Sequence, residues 1–195
     1  MDALTKPKRR NAPRTKARIL AAAQQAFAEL GYAQAGIREI ATIAGVSSTL
    51  LIRYFGSKAG LFEAALSAAV PLDGLLGATE RRRFGEHLAA LILETRSDLR
   101  PQSMVALSTG DAEARRISTR VTEQRVLKPL AAWLGPPDAR ARATQIIMLG
   151  MGFVLYTREL PLASTVKGMD RKLARWFACS VQEIVDQSAP SRANP

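Results

Sequence analysis

Apolar side chains recur every three or four positions from Thr15 onward. Ile19, Ala23, Phe27 and Leu30 make one stripe, which predicts a helix that Gly31 stops. The same period predicts a short helix over 37–44 ended by Gly45, then a third from behind Ser47 to about Phe55. A fourth follows Ser57 and runs to Pro71. Ser47 and Ser57 are the expected N-caps, because a serine hydroxyl accepts from the free amides of a helix's first turn. The segment 72–79, with Gly74 and Gly77, reads as a loop and a domain boundary. Beyond it the pattern predicts helices near 80–96, 101–109, 112–134, 138–158 and 169–187. Residues 1–14, with Pro7 and Pro13 and little apolar content, are expected to form a flexible arm, and 189–195 a disordered tail. The plan is all-α, about nine helices without an internal repeat.

The stretch from Ile37 to Phe55 carries the most constrained spacing. Two short helices that pack closely at a steep angle need a small residue facing the partner, and Ala41 supplies it. The turn between them needs a positive φ, which Gly45 adopts without strain. Ile40, Val46 and Leu51 fill the space between the helices. An ordinary helical hairpin also uses Ala and Gly, but it does not account for the neighbours. Ser47, Ser48 and Thr49 make a polar start to the second helix, where the reading helix of a helix-turn-helix meets base edges. Arg53, Tyr54 and Lys58 are donors suited to phosphate. Lys58 stands on the first turn of a helix, facing the positive end of its dipole, so an anion is expected there.

From Thr15 to Leu66, about a quarter of the chain, the sequence resembles the DNA-binding domain of the TetR family. The residues that carry the likeness are Phe27, Leu30 and Gly31; Ile40, Ala41, Ala44, Gly45, Val46 and Ser47; and Phe55, Ser57, Lys58 and Leu61. The resemblance implies a helix-turn-helix domain that binds operator DNA as a dimer. It also implies a variable helical remainder that dimerises and often takes an inducer. Three positions depart from the family pattern. Gly36 stands where a phosphate-gripping Thr or Ser is frequent, Thr49 where Gly is usual, and Ile52 where a phosphate-binding Tyr is frequent. Base readout then falls to Arg38, Ser48, Thr49 and Leu50, the last against a thymine methyl. The expected organisation is a basic arm over 1–14, the helix-turn-helix domain over 15–60, a helical dimerisation and ligand-binding domain over 61–188, and the tail.

Charge agrees with a polyanionic partner. The net charge is +11, and residues 1–18 hold Lys6, Lys8, Arg9, Arg10, Arg14, Lys16 and Arg18 against Asp2 alone. A single Cys (Cys179) and a single His (His87) exclude an internal disulfide and leave too few ligands for a zinc site. No paired carboxylates, nucleophile or metal set assembles, so neither an enzyme nor a cofactor is expected. Gly56-Ser57-Lys58 lacks the spacing of a phosphate loop. The longest apolar run, 146–156, is about half the roughly 20 residues of a membrane span, and the basic start running into a helical pattern is not expected to act as a secretory leader. Arg81-Arg82-Arg83 reads as a solvated helix face, His87 as structural, and Cys179 as a small core residue.

The apolar run is hydrophobic on all sides, so it must be covered on all sides. Either a homodimer built on the helices near 138–158 and 169–187 supplies the cover, with Met148, Gly150, Met151, Gly152, Leu155 and Trp176 in its seam, or the whole helix sits inside the domain; the family resemblance points to the dimer. Met104, Leu107, Trp133 and Phe153 suit an apolar ligand pocket, and they suit a plain core equally. The expectation is a cytoplasmic homodimeric repressor of a palindromic operator, released by a small apolar effector. The alternatives are a regulator answering to a partner protein or to nothing, a helical enzyme with a basic tail, and a membrane-surface binder using the arm.

Overall fold

The computed structural model describes residues 12–70, 72–78, 80–94, 101–160 and 169–187. They are mainly helical, without a strand among them. The helices are α1 (Ala12–Gln34), α2 (Ile37–Ile43), α3 (Ser48–Phe55), α4 (Lys58–Ala68), α5 (Leu72–Ala78), α6 (Phe84–Glu94), α7 (Pro101–Ala106), α8 (Ala112–Thr122), α9 (Lys128–Leu134), α10 (Ala139–Val154) and α11 (Met169–Asp186). A 3-10 turn at Arg81–Arg83 precedes α6, and π-turns at Glu123–Leu127 and Leu155–Glu159 follow α8 and α10.

Two differences from the expected nine helices have plain causes. The expected loop at 72–79 is α5, because Leu72, Leu75 and Leu76 at helical spacing pack against the second core and outweigh Gly74 and Gly77. The expected helix over 112–134 is interrupted by the first π-turn. The first helix begins at Ala12, three residues before the expected start. The rest of the expected arm and the tail at 189–195 lie outside the described residues.

Two apolar cores organise the chain. The first gathers Ile19, Phe27, Ile40, Leu51, Phe62 and Leu66 from α1–α4, and it also takes in Met104, Ile117 and Val121 from α7 and α8. The second joins α5, α6 and α9–α11 around Phe84, Leu130, Ile146, Phe153, Phe177 and Val181. Gly31 packs closely against the backbone of Leu107, just after α7. It has φ +71, and a Cβ there would stand 2.5 Å from the Leu107 carbonyl oxygen, which no side chain permits. Beside it the Tyr32 amide donates to Ser108 Oγ at 2.9 Å, and the Tyr32 hydroxyl donates to Glu113. The end of α1 is thereby fastened to the loop between α7 and α8 and to the first turn of α8.

Three surface expectations change. Phe177, Val181 and Val185 form the buried stripe of α11, so Cys179 falls on the opposite side and is exposed rather than core. Arg81 is not simply solvated, since its guanidinium donates to the carbonyls of Trp133 at 2.9 Å and Leu134 at 2.7 Å. His87 holds a structural contact, its Nδ1 lying 2.9 Å from the Arg83 carbonyl.

Candidate nucleic-acid interface

The turn between α2 and α3 has the geometry its sequence predicts. Gly45 has φ +61, its amide donates to the Thr42 carbonyl at 3.0 Å, and the Val46 amide donates to Ala41 at 2.9 Å. Ile40 and Leu51 are fully buried between the helices, with Ala41 and Ala44 beside them. Arg18 of α1 supplies a brace that the spacing did not reveal. Its guanidinium donates to the Ala44 carbonyl and, at 3.2 Å, to that of Gly45. A Cβ at position 45 would stand 2.7 Å from the same guanidinium. By sequence Arg18 reads only as part of the basic end. Its place beside the buried Ile19 was the available signal, but local spacing does not tell which distant carbonyl an arginine will meet.

Ser47 caps α3, its hydroxyl accepting from the Leu50 amide at 3.2 Å, and Ser57 caps α4, accepting from Gly60 at 3.0 Å. Gly36, at the start of α2, makes no side-chain cap, as expected of a residue without one. With Leu51 turned into the core, Thr49 and Arg53, one turn apart, are exposed together with Ile52. Arg38 is exposed on α2, and Ser48 and Leu50 are half-buried. Tyr54 is half-buried against the first core. The face so formed carries a hydroxyl, a guanidinium and apolar groups without a carboxylate among the named positions.

Lys58 needs no external anion to explain it. Its ammonium donates to the Ala33 carbonyl at 3.1 Å and lies 4.9 Å from the centre of the Tyr32 ring. Its place on α4 therefore does not by itself call for a phosphate. The cation also meets carbonyl density at the end of α1, where a positive charge is favoured.

In the body, a cavity of about 220 Å³ lies between α4 and α5–α10. Leu66, Phe84, Ile92, Val121, Ile146 and Met151 are representative of its wall. None of the four pocket residues expected from sequence lines it. Met104 is fully buried in the first core, and Leu107 is 47% exposed beside Gly31. Trp133 packs tilted against Phe84 at 4.7 Å under Arg81, and Phe153 stacks on Phe177 at 4.6 Å. Size and softness suggested these side chains; helical phase turns them elsewhere. The seam set divides in the same way. Gly150 and Met151 face the cavity, whereas Met148 is 67% and Trp176 53% exposed. Gly152 and Leu155 are half-buried.

Among the described residues there is no group of three or more His, Cys, Asp or Glu placed to hold a metal, and no helix long and apolar enough to cross a membrane.

Comparison with known proteins adds a family to this geometry. The family described as bacterial regulatory proteins, tetR family, matches residues 19–65, and the tetracyclin repressor-like C-terminal domain matches 83–185, more than half of the chain. A TetR-family transcriptional regulator from Rhodococcus sp. has a similar structure at 19% identity and TM-score 0.67, covering 89% of this chain and 100% of that one. A transcriptional regulator from Saccharomonospora viridis in complex with choline is 22% identical, with TM-score 0.60 over 84% of this chain and 95% of that one. A TetR-family regulator from Mesorhizobium loti is 20% identical, with TM-score 0.59 over 91% and 98%. These likenesses are of fold. No curated protein matches the chain. With both halves matched and the turn of α2 and α3 in place, the chain belongs to the TetR family of bacterial regulatory proteins and is a DNA-binding transcription regulator.

Proposed function

We propose that this regulator is a homodimeric repressor that reads a palindromic operator through α3 and lets it go when a small molecule occupies the body. The observation that carries the reading is the exposed face of α3, with Thr49 and Arg53 outward on a helix whose Leu51 is fully buried. In this reading Arg38, Ser48, Thr49 and Leu50 meet base edges. Ser47, Arg53, Tyr54 and Lys58 meet phosphate, the ammonium of Lys58 keeping donors beyond the one given to Ala33. Residues 15–60 are the reader and 61–188 the dimerisation and ligand domain, working in the cytoplasm on double-stranded DNA.

The dimer rests on α10 and α11, where Met148 and Trp176 leave large apolar surface in water. A two-fold axis there would set two copies of α3 about one DNA turn, roughly 34–36 Å, apart. Effector control rests on what the cavity touches. Leu66 and Ala69 belong to the end of α4, the helix that Ser57 starts directly after α3. Gln102 and Val105 belong to α7, which leads into the contacts of Leu107 with Gly31 and of Ser108 with Tyr32. An occupant that fits only one placement of α4 and α7 would bias the spacing of the reading heads. One that fits both equally would change nothing.

Selection of duplexes from a random pool by the purified protein tests the reading. The expected outcome is an enriched inverted repeat with half-site centres about 10–10.5 base pairs, or a multiple, apart. A pool that shows no enrichment, or a direct repeat, would remove the symmetric reader.

A further inference from the structure

We propose that the cavity receives a neutral, mostly hydrocarbon molecule of roughly ten non-hydrogen atoms with one hydroxyl or carbonyl end, and that it rejects cations and carboxylates. This rests on taking the cavity as the effector site.

The wall determines the class. Among the described residues that line it, only Gln102 and Thr122 are polar; none is Asp, Glu, Lys, Arg or His, and Phe84 is the one aromatic. A charge brought there would give up its water without a counter-charge, which costs far more than the apolar contacts return. A quaternary ammonium is held by a cage of several aromatic rings or by a carboxylate, and the described lining residues offer neither. The choline of the Saccharomonospora viridis regulator therefore does not carry over to this chain.

The two polar residues give the molecule its polar end. Thr42, Thr119, Thr144 and Thr157 each donate a hydroxyl to the carbonyl four residues back, at 2.6–3.0 Å. Thr122, at the end of α8 where the π-turn begins, has no such bond, and neither it nor the Gln102 side chain has a hydrogen-bond partner among the described residues. π-Turns of this kind recur at functional sites. A hydroxyl or carbonyl within reach of either side chain would satisfy it, since the amide offers donor and acceptor and the hydroxyl either role. Size follows from volume. An apolar cavity of about 150 Å³ takes benzene, and this one holds about 220 Å³.

Calorimetric titration of the full chain, without DNA, tests the class with four probes: 4-propylphenol, propylbenzene, 4-propylbenzoate and choline. 4-Propylphenol should bind about tenfold tighter than propylbenzene, the worth of one or two satisfied hydrogen bonds. It should bind at least about a hundredfold tighter than 4-propylbenzoate, and choline should give no heat. Thr122→Val with Gln102→Leu should erase the advantage of the phenol and leave propylbenzene unchanged. Gly150→Leu should abolish both, because a Cβ at 150 meets only Ile92 Cδ1, at 4.0 Å, and a longer side chain grows into the cavity. Choline or 4-propylbenzoate binding as tightly as the phenol would overturn the proposal. So would silence from both neutral compounds at millimolar concentration. Displacement of operator DNA is then measured separately. A neutral probe that binds in the cavity without releasing DNA leaves the ligand class standing and removes effector control. A charged compound that releases DNA from wild type but not from Gly150→Leu overturns the ligand class and keeps effector control.

Discussion

Replacing Arg142 by Met asks what a buried arginine does without a carboxylate. The residue is 2% exposed. Its guanidinium donates to Pro137 at 2.9 Å, to Leu134 at 3.3 Å and to Gly135, all at the end of α9 or just beyond it. It also donates to Ile184 and Val185 at 3.4 Å and to Gln187 at 3.1 Å, at the end of α11. Carbonyls at a helix C-terminus lack intrahelical partners and carry the negative end of the dipole. Two such ends meet on one cation, which balances its charge and joins the helices. Methionine fills much of the volume but leaves at least two carbonyls without donors, at about 1–3 kcal/mol each. Relief from burying the guanidinium offsets part of this, so the net loss should be about 3 kcal/mol, at the low end for breaking a buried ionic contact. For a chain of this length each kcal/mol moves Tm by about 2–4 °C, giving a fall of about 6–12 °C. Arg142→Lys keeps the charge but has only three donors, and should lose about half as much. Thermal and urea melts followed by circular dichroism measure both. An unchanged or higher Tm for Arg142→Met would show that the arginine is tolerated rather than stabilising.

Two further predictions concern the joint between the halves and the outer face. Burial, with the hydrogen-bonded Glu113 carboxylate adding to it, holds the Tyr32 phenol well above its ordinary range. The folded chain therefore keeps a proton that the unfolded chain loses near pH 10. This contribution is complete below about pH 10 and is lost as pH rises beyond it. Urea midpoints at pH 9–11 should fall less steeply for Tyr32→Phe than for wild type; parallel curves would refute the coupling. Met148→Glu puts a charge where the single chain is already 67% exposed, so melting of the monomer should change little. Sedimentation should shift toward monomer and operator affinity should drop with it. A wild-type protein that is monomeric at micromolar concentration would end the dimer reading.

What the sequence made legible was local chemistry. Gly45 with its positive φ, Ala41 at the crossing, and the Ser47 and Ser57 caps each depend on neighbours within a few residues, and each is found in place. What it hid was decided at long range. Gly74 and Gly77 argue for a loop, yet leucines at helical spacing settle α5 onto a core formed by residues far along the chain. Lys58 sits at the wrong end of its own helix, and the reason is the end of α1, 25 residues away. Size and polarisability nominated Met104, Leu107, Trp133 and Phe153 for a pocket. Which helix face looks into an empty space is set by packing angles, and composition does not encode those.

Affinity for the selected operator, compared with a scrambled duplex of equal length across a series of salt concentrations, tests the central claim most directly. The account predicts that the operator binds at least about a thousandfold tighter than the scrambled duplex near physiological salt. Affinity for both should fall steeply with salt. Thr49→Ala should cost about 1–3 kcal/mol on the operator and almost nothing on the scrambled duplex. Equal affinity for the two duplexes, or an equal effect of Thr49→Ala on both, would contradict the reading of sequence by α3.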